Sequence, residues 1–253
     1  MRVRKTGLFL FAFVVILSIN APVLWSSDAA PVMSPDAALN MLKESNSCFT
    51  GGAMKHPNAD PDRRKQCTSG GQHPFATVLS CSDSRVPVEV LFDSGIGDIF
   101  VVRVAGNVAD TDETGSIEYG VDHLGTPVLV VLGHTRCGAV TAVAQGAKLH
   151  GCIPALVENI EPAVAKAKAT HPELTGDALV EEAVKANVWQ AIDDVLKLSE
   201  AVRNRAKNGT VKIVGAIYDI ESGKVNWMGS HPEQEQLIAK YSAAGSSHGH
   251  GHK

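Results

Sequence analysis

The chain has 253 residues, 44% hydrophobic and 20% charged, with a formal net charge of -4 and a pI near 6.2. That is enough chain for one sizeable core in a composition ordinary for a soluble globular domain. With no basic excess and no Lys/Arg cluster interleaved with aromatics, nucleic acid is not an expected partner. The five cysteines, at 48, 67, 81, 137 and 152, are too few for a disulfide scaffold at this length.

Arg2, Arg4 and Lys5 precede an uncharged run over 8–25, and the small residues Ser26, Ser27, Ala29 and Ala30 follow it. That order reads as a secretory signal peptide over 1–30, hence an exported, periplasmic protein with no stable membrane span after cleavage. An uncleaved anchor is the rival, because about 18 apolar residues approach the minimum for a span. Asn20 and Pro22 weaken that rival. Residues 31–244 are then the folded domain, and 245–253 a disordered tail carrying His248, His250 and His252.

Ser34 before Pro35 is a helix start signal, with Ala38, Leu39, Met41 and Leu42 as the apolar face. Residues 51–73 lack apolar periodicity and read as a surface loop around a basic helical turn at 62–66. Three apolar runs follow, 75–80, 99–104 and 127–132, continuous rather than alternating, as in strands buried on both faces. Helical segments are predicted between and after them, at 86–92, 115–124 and 138–147. A long amphipathic helix is predicted over 177–207, ending at Asn208-Gly209. Residues 211–220 and 225–228 read as a strand and its hairpin partner, and Ser230-His-Pro-Glu233 as the capping box of a helix to about Tyr241. Strands alternating with helices predict an α/β fold: a mainly parallel central sheet of about four strands, an antiparallel edge strand, and helices on both faces.

Cys81-Ser-Asp-Ser-Arg85 leaves the first strand at its carboxyl end, where catalytic groups of parallel sheets sit. Alternate side chains point one way in extended chain, so Cys81, Asp83 and Arg85 can face one pocket. His134-Thr-Arg-Cys-Gly138 leaves the third strand into a predicted helix, and spacing of three across its first turn brings His134 and Cys137 together. Two sulfurs, one imidazole and one carboxylate suit tetrahedral zinc, open if three protein groups bind and closed if Asp83 is the fourth. A two-pronged pair with Arg85 would hold Asp83 off the metal.

Cys81-Ser-Asp-Ser-Arg-Val86, Val102-Arg-Val-Ala-Gly-Asn107, Ser116-Ile-Glu-Tyr-Gly120 and Gly133-His-Thr-Arg-Cys-Gly-Ala139 resemble, in order, the signatures of beta-class carbonic anhydrases. The resemblance implies reversible hydration of CO2 to bicarbonate and a proton by zinc-bound hydroxide, in a homodimer or higher homo-oligomer. It puts Cys81, His134 and Cys137 at the Zn2+ ligand positions and Asp83 with Arg85 at the gating dyad. Gln72 stands where a glutamine donates to substrate, Tyr119 at a pocket tyrosine, and Gly138 at the glycine whose amide lies near the metal. In the branch where bicarbonate locks the aspartate onto zinc, tryptophan and glycine stand where this chain has Val78 and Ser80. The open, non-locking type is therefore expected, although Arg103 keeps the arginine of the bicarbonate pocket. Val104 departs from an asparagine common at its position.

Two other functions fit the same scaffold: hydrolysis of carbonyl sulfide or carbon disulfide, and zinc binding without catalysis. Joint retention of Gln72, Asp83 and Arg85 argues against the second, since holding a metal needs neither an amide nor a dyad. An oxidising compartment would allow Cys48 and Cys67 to bridge; otherwise they are free thiols. The histidine tail reads either as a metal collector or as solvated chain.

Overall fold

The structure, a computed structural model, describes residues 33–246. The expected signal peptide and residues 247–253 of the tail lie outside the described residues. Helix α1 (Pro35–Thr50) starts as predicted: Ser34 Oγ accepts the Ala37 amide at 3.2 Å and Pro35 takes the first turn. The basic turn at 62–66 is part of a ten-residue helix, α2 (Pro61–Gly70), capped by Asp60 through the amides of Asp62 and Arg63. None of its residues is buried, which is why no apolar period announces it. Arg63 ties it to the core by donating to Ile96 O at 2.7 Å and pairing with Asp98 at 3.0 Å.

Strands β1 (Ala76–Cys81), β2 (Ile99–Val104), β3 (Val128–His134) and β4 (Lys212–Tyr218) run parallel, and β5 (Val225–Gly229) pairs antiparallel with β4. The order is β2-β1-β3-β4-β5, the predicted parallel sheet with an antiparallel edge. β1 and β3 run past their predicted ends, because Cys81 pairs with Val104 and His134 with Tyr218. The apolar run stops before the ladder does.

One sheet face presents Leu79, Leu129, Val131 and Ile213 to a long helix, α8 (Gly176–Leu198), through its Val184, Val188 and Ile192. The other packs Val78, Val130, Leu132 and Val214 against α1 and the short α3 (Val88–Leu91). Each fully buried aliphatic side chain contributes about 1.5–3 kcal/mol, so two covered faces are what make this sheet stable. A Cβ at Gly133 would stand 2.7 Å from Val188 Cγ2, and one at Gly215 would stand 2.8 Å from Trp189 Cζ3. These glycines let α8 lie directly on the backbones of β3 and β4.

Helix α4 (Thr111–Glu118) starts earlier than predicted, at the Asp110–Glu113 capping box, and continues as a π-turn over Tyr119–His123. Helix α5 (Gly138–Ala144) follows β3. Helices α6 (Ile153–Val157) and α7 (Glu161–Thr170) lead to α8. The helix predicted over 177–207 is two, α8 and α9 (Glu200–Lys207), broken at extended Ser199. Ser199 Oγ accepts the Val202 amide at 3.0 Å and donates to Glu118 Oε1 at 2.6 Å, which favours a cap over continued helix. Helix α10 (Gln234–Ser246) starts later than its predicted capping box, because the His231 ring accepts the Glu233 amide at 3.0 Å. All five cysteines are free; Cys67 Sγ lies 3.7 Å from Ile96 O rather than bonded to Cys48. No helix among the described residues is long and apolar enough to cross a membrane.

Candidate metal centre and active site

Three side chains converge where β1 and β3 end side by side. Cys81 closes β1, His134 closes β3, and Cys137 is the N-cap residue of α5. Their ligand atoms all lie within 4.8 Å of one another, and no other such group of His, Cys, Asp or Glu occurs among the described residues. The residues are 4%, 0% and 1% exposed.

His134 Nδ1 lies 2.9 Å from Thr135 O. A carbonyl only accepts, so Nδ1 carries the ring proton and Nε2 presents its lone pair. That Nε2 is buried with no hydrogen-bond partner. A buried polar atom left so costs about 1–3 kcal/mol, whereas a soft divalent cation between one imidazole and two sulfurs would satisfy it. The donor set therefore fits zinc. With the two sulfurs side by side, the Cys137 thiol, helped by the Gly106 and Asp83 amides, holds Cys81 down to about 4 against its burial. The same contact, with burial, pushes Cys137 up.

Asp83 stands at the rim of this cluster. Arg85 grips both its oxygens, Nε to Oδ1 at 2.9 Å and Nη2 to Oδ2 at 2.7 Å, and the Arg85 amide adds a bond to Oδ1 at 2.9 Å. This guanidinium holds the Asp83 carboxyl well below the usual carboxylate range. Arg85 is itself anchored by Arg136 O at 3.2 Å, with Arg136 in the left-handed region at φ 56.

Sequence reasoning missed two supports. Arg103, expected in a bicarbonate pocket, donates to the carbonyls of Cys81 at 3.0 Å and Asp83 at 2.7 Å, clamping the loop that carries both. The Cys81 sulfur accepts the amides of Gly106 at 3.2 Å and Asp83 at 3.4 Å. The only sequence signal for the Gly106 contact is a glycine followed by asparagine just after a strand. Of the expected substrate contacts, Gln72 is exposed on the link into β1 and Tyr119 is 44% exposed, its ring 5.7 Å from Phe100. Both lie outside the buried cluster. Gly138 opens α5 with nothing within 4 Å of where a Cβ would stand, so it leaves free space beside Cys137.

A buried cysteine–histidine–cysteine set at the carboxyl ends of parallel strands, with a salt-bridged carboxylate at its rim, fits the metal site of an α/β enzyme. The family profile described as carbonic anhydrase matches residues 76–225. The chain is 37% identical to carbonic anhydrase 2 of Mycobacterium tuberculosis over 198 residues, 77% of this chain and 93% of that one. It is 38% identical over 199 residues to the carbonic anhydrase of Mycolicibacterium smegmatis, covering 77% and 94%. The crystal structure of the beta-carbonic anhydrase CafA of Aspergillus fumigatus superposes with a TM-score of 0.64 at 27% identity, over 83% of this chain and 97% of that one. The chain belongs to the beta-carbonic anhydrase family, the carbonate dehydratases.

Proposed function

We propose that this chain hydrates CO2 reversibly to bicarbonate and a proton, using zinc held by Cys81, His134 and Cys137. The observation that carries this reading is the unpartnered Nε2 of His134, aimed into a buried pair of cysteine sulfurs. Zinc bound by three protein groups supplies a Lewis acid that lowers the pKa of a water in its open position.

The chain's own residues supply the rest. Arg85 keeps Asp83 paired, so the carboxylate stays at the rim, 3.9 Å from His134 Nε2 at Oδ2. Held there it accepts a hydrogen bond from an entering water and orients it; released, it would become a fourth ligand and close the site. The buried walls exclude bulk water from the sulfurs. Gln72 is assigned as a donor to the substrate oxygen, with Tyr119 and the Gly138 amide lining the approach. Partly exposed Phe100 and Val101 on the edge strand β2, with exposed Tyr119 packed beside Phe100, favour a homodimer or higher homo-oligomer. The leader pattern favours export to the periplasm.

Stopped-flow proton release from CO2 tests the reading on purified protein with and without a zinc chelator. Zinc-dependent turnover is expected. Full zinc occupancy without turnover at mildly alkaline pH would overturn it.

A further inference from the structure

Asn187 sits mid-helix in α8, 2% exposed, among the apolar Ala183, Val184, Val188 and Ala191 that press on the sheet. Burying a side-chain amide is costly unless it is hydrogen-bonded. Its Nδ2 donates at 2.7 Å to Gly106 O, in the turn that follows β2. Two consecutive residues of that turn are left-handed, Gly106 at φ 78 and Asn107 at φ 46. The turn does not hold itself: the side-chain Nδ2 of Asn107 is buried and donates to nothing. Packing confines it on one side, because a Cβ at Gly106 would meet Ile160 Cδ1 at 2.6 Å and Ala139 Cβ at 3.3 Å. On the other side the hold is Asn187. The N–H of Gly106 then points at Cys81 Sγ, 3.2 Å away. α8 comes near enough for this because Gly133 and Gly215 leave no side chain beneath it.

We infer that Asn187 is a positioning residue of the metal centre: by holding the Gly106 carbonyl it aims the Gly106 amide at the Cys81 sulfur. The inference rests on the metal reading above. Two thiolates give a metal more negative charge than imidazoles do, which weakens it as a Lewis acid. An N–H bonded to a sulfur draws part of that charge away, and such outer contacts tune bound metals. Asn187 therefore acts on the metal through a backbone amide and touches neither ligand nor substrate.

The test loads the full chain with cobalt in place of zinc and reads the sulfur-to-cobalt charge-transfer absorption and the metal affinity against a chelator. Asn187→Leu keeps the branching at Cγ and removes the donor, at the cost of a bulkier side chain. It should shift the band and weaken metal binding roughly ten- to hundredfold, lowering kcat with KM little changed in the zinc form. Asn187→Ser, with a donor on a shorter arm, should fall between. Val195→Ala, buried on the same helix away from the turn, should lower the thermal midpoint while band and affinity stay as in wild type. If Asn187→Leu behaves like Val195→Ala, the inference is overturned. Should neither Asn187 variant fold, wild-type protein loaded with the NMR-active cadmium isotope decides: the Gly106 amide proton should couple to the metal through sulfur, and absence of that coupling overturns the inference. A wild-type chain that takes up no cobalt overturns the metal reading and this inference with it; normal uptake with an unmoved band overturns this inference alone.

Discussion

Asp83 lies between two claims: Arg85 Nη2 holds its Oδ2 at 2.7 Å, and the unpartnered His134 Nε2 stands 3.9 Å from the same oxygen. The carboxylate is thus within one side-chain rotation of the cluster and is kept from it by a fork that a lysine could not reproduce.

Asp83→Asn keeps the shape and removes the charge, so it should lower kcat/KM by about 10²-fold or more, the range of a lost proton-handling group, while zinc content stays at one per chain. Arg85→Lys should also lose activity, now because Asp83 is freed to compete for the metal, and that loss should deepen at low substrate. Steady-state kinetics beside metal analysis checks both. Unchanged turnover in Asp83→Asn removes Asp83 from the mechanism.

The side-by-side sulfurs predict how zinc binding depends on pH. Cys81 is held down to about 4 by the thiol of Cys137, and that contact with burial pushes Cys137 up. At neutral pH the apo site therefore carries one thiolate and one thiol, and both must be thiolates to bind. Zinc uptake should release about one proton per site, and affinity should rise with pH across the neutral range. Calorimetry in buffers of different ionisation enthalpy counts that proton. A count of zero would mean that Cys137 keeps no proton in the apo site.

How much of this could be read from sequence followed from how local each signal is. The convergence of Cys81, His134 and Cys137 and the pairing of Asp83 with Arg85 are legible because each motif ends an apolar run and the spacing carries the geometry. The strand ends are not, since Cys81 and His134 interrupt the apolar pattern while their backbones stay in the ladder. Helix α2 shows in the sequence only as one basic turn because it buries nothing. The break at Ser199 was hidden because its cause, Glu118, lies 81 residues away. The Gly106 contact is made by a main-chain amide, which leaves no composition to read.

That break makes its own prediction. Ser199 is fully buried, caps α9 and holds Glu118. Ser199→Ala should cost about 1–2 kcal/mol, the loss of a cap with the partner left unpaired. Denaturant midpoints measure it. Glu118→Gln in the Ser199→Ala background should recover little, whereas additive losses would show that the two residues act independently.

Asp194, also on α8, tunes stability rather than chemistry. Burial pushes its carboxyl up to about 6; Asp193 and Asp110 add to this, and the Gln190 amide at 3.0 Å and Lys197 oppose it. The unfolded chain titrates near 3.8, so between there and about 6 the folded form holds more protons than the unfolded. Stability must then fall as pH rises through that window and level off above it. A full shift of this size corresponds to about 3 kcal/mol, and residual solvent at the site reduces it to about 1–2 kcal/mol. Asp194→Asn removes the penalty, so the variant should exceed wild type by that margin at neutral pH and match it at the acid end of the window. Chemical denaturation at both ends checks the sign. A gain that persists unchanged in acid would point to improved hydrogen bonding to Gln190 rather than to relief of a buried charge.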